Sequence, residues 1–141
     1  MFGNDRTQIR QYFFNVWDKK NHGQSLTGLD EIIAHVIEIH PEYHHYLQDS
    51  DDTLDREWTP EQGETNPFLH MGMHISLHES LSADLPAGIK AIYQQLMGKY
   101  GQPHEVEHKM IDCLGLVMWQ AQTTQKDPDM AQYLECLKKL L

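Results

Sequence analysis

A chain of 141 residues with 21 acidic and 11 basic side chains carries a formal charge of −10. That balance argues against a nucleic-acid backbone or an anionic membrane surface as partner. The length suits one domain able to bury a core without disulfides or structural metal. The start, MFGNDRTQIR, lacks the apolar stretch of a signal peptide, and no apolar run reaches the length of a membrane span. A soluble, cytoplasmic protein is expected.

The apolar pattern has a helical period almost throughout. Ile9, Tyr12, Phe13, Val16 and Trp17 form the stripe of a first amphipathic helix, with Asn4 or Asp5 as cap and Gly23 closing the turn after it. Leu29, Ile32, Ile33, Val36, Ile37 and Ile39 form a second stripe, with Thr27 as candidate cap. Pro41 breaks that helix, because it lacks an N–H and crowds the preceding turn. A short helix restarts there and carries Tyr43, Tyr46 and Leu47. Residues 48–66 are acidic and aperiodic, a loop anchored by Trp58.

Asn66-Pro67, a cap followed by a first-turn proline, opens a third long helix that runs to about Leu81. Ile89, Ile92, Tyr93, Leu96, Met97 and Tyr100 mark the next, ended by Gly101. Pro103 opens another, which reaches roughly Gln122. A last helix follows Asp127-Pro128 and holds Met130, Tyr133, Leu134 and Leu137. No strand pattern competes. The expected fold is all-α: a single-domain antiparallel bundle of five or six helices.

Ten histidines punctuate this pattern. His70, His74 and His78 recur every four residues, which places them on one helix face. On a helical wheel they fall between Met73, Leu77 and Leu81 on one side and Phe68, Met71 and Ile75 on the other. Gly72, Ser76, Glu79 and Ser80 lie opposite. The three imidazoles are thus expected on the buried face. His40 extends the stripe of the second helix, and His44 follows one turn later, past the proline. His104, His108 and Asp112 run along the flank of a stripe formed by Val106, Met110, Leu114, Val117 and Ala121. His22 and His35 are expected at the surface.

Two histidines at i and i+4 chelate one ion, and facing helices of a bundle complete the shell. Imidazole with a few carboxylates suits iron, zinc, nickel or copper better than calcium or magnesium. The candidate ligands are His70 and His74 first, then His40, His44 and His108, with Asp112 as ligand or supporting carboxylate. The alternative is a non-catalytic interaction or homo-oligomerisation module whose histidines are structural, satisfied by Tyr43, Tyr93, Tyr100, Glu79 or Asp112.

His104-Glu105-Val106-Glu107-His108 is a literal HExxH, the zinc-peptidase pattern. Here it starts on a helix end and lacks a specified third ligand, which disfavours a peptidase. Asp49, Asp51, Thr53 and Asp55 hint at a calcium loop, but Leu54 and Pro60 occupy the positions that need glycine and glutamate. Cys113 and Cys136 form no CxxC pair and read as two buried thiols in a reducing cytosol.

His40-Pro41-Glu42-Tyr43-His44 and Asn66-Pro67-Phe68-Leu69-His70, with His74, resemble an uncharacterised bacterial family, domain-of-unknown-function family 1841. Pro86-x-Gly88-Ile89, Cys113-Leu114-Gly115 and Trp119-x-Ala121-Gln122 fit the same pattern. The resemblance spans nearly the whole chain. It implies a small helical protein and supports His40, His44, His70, His74 and His108 as the residues of interest, while His78 departs from the family's acidic position. It implies no activity, substrate or cofactor.

Overall fold

The structure, a computed structural model, describes residues 6–48, 53, 56, 58 and 66–141, with Arg6 described through its backbone alone. Among the described residues there are seven α-helices and no strand: α1 (Arg6–Asn21), α2 (Leu29–Glu38), α3 (His44–Gln48), α4 (Pro67–Ala83), α5 (Ile89–Tyr100), α6 (Pro103–Thr124) and α7 (Met130–Lys138). A 3-10 turn, Pro41–Tyr43, separates α2 from α3. The count exceeds the expected five or six because the short helix after Pro41 stands apart from six longer ones. No helix among the described residues is long and apolar enough to cross a membrane.

Local chemistry sets the helix ends. The Asn66 side chain accepts from the Phe68 and Leu69 amides at 2.9 and 3.3 Å, capping α4 as the Asn-Pro pair predicts. Asp129 caps α7 in the same way, through Ala131 and Gln132. The expected Thr27 cap is replaced. Gly28 stands at the N-cap of α2 with φ +57°, a conformation that favours glycine, and makes no side-chain cap bond. Thr27 contributes only its carbonyl, to the Asp30 amide. The caps proposed at Asn4 or Asp5 lie outside the described residues.

The chain clusters into two compact units, Met1–Ile75 and Ser76–Leu141, with the boundary inside α4. In the first, α1 packs on α2 and α3. Phe13, Val16, Ile33, Val36, Ile37, Met71 and Ile75 are buried together, and each such side chain contributes roughly 1.5–3 kcal/mol. Phe68 meets Phe13 and Phe14 edge-on, at 5.4 and 6.3 Å between centroids. Arg10 is buried as well. Its guanidinium donates to the Thr53 and Arg56 carbonyls at 3.0 and 2.7 Å and lies over the rings of Trp58 and Phe68. Trp58 also packs on Tyr46, so it anchors its segment as expected.

In the second unit α5, α6 and α7 pack on one another around Ile89, Ile92, Leu96, Val106, Met110, Val117, Tyr133 and Leu137. Burial pushes the Tyr133 hydroxyl up to about 12. Cys113 and Cys136 are joined in a disulfide between α6 and α7, with Cα atoms 5.8 Å apart. This corrects the expectation of two buried thiols. It also removes the argument for a reducing cytosol that rested on them, since disulfides persist in oxidising surroundings.

Candidate metal centre

Three histidines of the first unit converge. His70 and His74 lie one turn apart on α4, and their Nε2 atoms are 3.1 Å apart. His40, two residues past the end of α2, brings its ring edge-on to both, 5.2 Å from His70 and 4.5 Å from His74 between centroids. His40, His70 and His74 each offer one ring nitrogen, all within 4.8 Å of one another. His74 and His40 are 0% and 1% exposed, whereas His70 is half-buried.

The tautomer of His40 follows from its neighbour. Its Nδ1 lies 2.7 Å from the Val36 carbonyl, one turn back. A carbonyl only accepts, so Nδ1 carries the proton and the neutral ring directs its lone pair through Nε2. Metal-ligating histidines are commonly held by such a bond from the other nitrogen. Tyr43 stacks on His40, with centroids 5.6 Å apart and planes within 8°, and reaches the His70 ring at 6.2 Å. Burial, with the charges of Glu42 and Tyr46, raises the Tyr43 hydroxyl.

Two ring nitrogens on one tetrahedral zinc stand about 3.4 Å apart, given bonds of about 2.0–2.1 Å. The His70–His74 spacing is within a few tenths of an ångström of that edge. The other spacings are bounded by 4.8 Å, so closure on an ion asks for a shift of at most about 1.4 Å.

His44 and Asp112 are placed differently. His44 does not join the cluster of the first unit. Its Nε2 donates to the Ile37 carbonyl at 2.8 Å, and its ring packs on Trp17. The 3-10 turn at Pro41 interrupts the α-helical spacing, so the +4 relation to His40 no longer aligns the two rings. In the second unit, His108 is half-buried on α6 with its ring 4.1 Å from that of His104. Asp112 is exposed, as are His104 and Glu105 of the HExxH match. His22 and His35 are exposed, as the helical pattern predicts.

His78 has a different role. Its Nε2 lies 2.7 Å from Glu107 Oε1, and the Glu107 side chain is 5% exposed. Glu79, one of the partners the sequence offered the histidines, is exposed. The signal for Glu107 was present: it stands four residues before Ile111, which is also buried, and therefore shares its face. Burial and the Glu107 charge together raise the Tyr93 hydroxyl.

A family model described as Domain of unknown function (DUF1841) matches residues 5–139. The chain belongs to this family. No curated protein and no solved structure matches it. Membership in DUF1841 accords with the resemblance carried by HPEYH and NPFLH, and it brings no activity with it.

Proposed function

We propose that this protein binds one transition-metal ion, iron, zinc or nickel, with His40, His70 and His74 as ligands. The observation that carries this reading is the convergence of three ring nitrogens, two of them on fully buried side chains. His40 and His74 are buried beside the half-buried His70, so three neutral rings bring their lone pairs to one spot. One cation engages them together. His108 is proposed as the fourth ligand, and His44 and Asp112 are left outside the set.

The test is metal analysis of untagged protein purified without chelators and then soaked with iron, zinc or nickel. About one ion per chain is expected. His70→Ala/His74→Ala should abolish stoichiometric binding. His108→Ala should weaken affinity beyond the roughly 10–100-fold typical of losing an outer-shell partner, and His44→Ala and Asp112→Ala should cost less. Absence of stoichiometric metal in every sample refutes the reading. Retention by the double variant refutes the ligand assignment. The chain is taken to fold as one domain, which a single cooperative calorimetric transition tests.

A second reading has one observation in its favour. Leu116 and Trp119, three residues apart on α6, are 49% and 61% exposed. Such a pair suits a contact between two copies of this chain, and light scattering of Trp119→Ala against wild type tests it.

A further inference from the structure

The proposed ligands are all imidazoles. Among the described residues no carboxylate or thiolate joins them. Asp112 is exposed on its helix, and both cysteines are spent on the disulfide. Neutral imidazole supplies a lone pair but no charge. A divalent ion held this way keeps its full charge, and His40 and His74 keep water away from two sides of it. A charge in such surroundings is heavily penalised unless an opposite charge accompanies it. Adding His108 would leave the charge unchanged.

Coordination number points the same way. With His108 as the proposed fourth ligand the ion still accepts one more, since zinc expands to five ligands and iron and nickel take more than four. His70, the half-exposed member, marks a side that solvent reaches.

Building on the metal reading above, we propose that the ion in this centre carries a small exogenous anion as ligand. In plain buffer it is hydroxide, formed as metal-bound water releases a proton to solvent. In the presence of a small carboxylate, the carboxylate takes that position. The centre is thereby a receptor for a small anion with an oxygen donor, and not a closed structural site.

Cobalt(II) separates this from the parent reading, because its visible bands report ligand changes. The full chain is loaded with cobalt, freed of excess by gel filtration and counted for ions per chain. Sodium azide and sodium acetate are then titrated in separate arms. The expected result is a saturable shift of the cobalt bands. Resistance to a chelator should rise about tenfold when the anion stands at about ten times its own Kd, by linkage. A shift with acetate supports the carboxylate assignment, and a shift with azide alone overturns it, since azide is a slim nitrogen donor. Stoichiometric cobalt whose bands and retention ignore both anions overturns the proposal while leaving the metal reading intact. No bound cobalt overturns both.

Discussion

His74 and His78 sit one turn apart on the same helix, yet their surroundings differ in kind. His74 faces the ring of His70, nitrogen to nitrogen at 3.1 Å. His78 faces a buried carboxylate at 2.7 Å. The second pair is complementary, because an imidazole donor meets an anion. The first brings like groups together, with one ring donating to the other's lone pair and His40 added at the edge. A complementary pair satisfies itself, whereas a gathering of lone-pair donors is shaped for a cation. The contrast separates a structural histidine from a candidate ligand more sharply than burial does.

Three experiments press on that contrast. The largest expected effect concerns the stapled unit. The Cys113–Cys136 link spans 23 residues of sequence, and closing such a loop stabilises the fold by about 3 kcal/mol. Cys113→Ser/Cys136→Ser should lower the urea midpoint accordingly, with metal stoichiometry unchanged; an unmoved midpoint would mean that the two sulfurs stay apart in solution. Next, His78→Ala strands the Glu107 carboxylate and should cost about 2 kcal/mol, as for hydrogen bonds to charged groups. Pairing it with Glu107→Gln in a double-mutant cycle isolates the coupling. Bound metal should be untouched, and a loss of metal in His78→Ala would place both histidines in one centre and erase the contrast. The smallest effect is expected from Asn66→Ala, which removes the α4 cap for about 1 kcal/mol. Because His70 lies in the opening turns of that helix, metal affinity should fall a few-fold; unchanged affinity would show that the cap does not hold His70 in place.

The helices were legible because their signals are local. A stripe such as Ile9–Trp17 or a pair such as Asn66-Pro67 needs no knowledge of what lies across the core. Likewise, the placement of His70 and His74 on the buried face followed from the wheel, whereas His40 joins them from beyond the end of α2, with its ring held by the Val36 carbonyl. What escaped the sequence depends on contacts between distant segments. Cys113 and Cys136 lie on different helices, so their spacing does not announce a bond. Glu107 was read as a charge inside an HExxH match, although its four-residue interval to Ile111 already set it on a buried face. His44 failed to follow His40 because a proline turn re-aims the chain, and residue spacing loses its directional meaning across such a break. Gly28 took the place of Thr27 because backbone conformation, not side-chain capping, set the start of α2.

The buried Arg10 has a consequence of its own. A guanidinium stays charged throughout the ordinary pH range, and neither the two carbonyls it serves nor the aromatic faces around it gain or lose protons. The clasp between α1 and the segment bearing Thr53, Arg56 and Trp58 is therefore indifferent to acid. In a chain with ten imidazoles, acidification rewrites much of the electrostatic landscape, and this fastening is one part that stays the same.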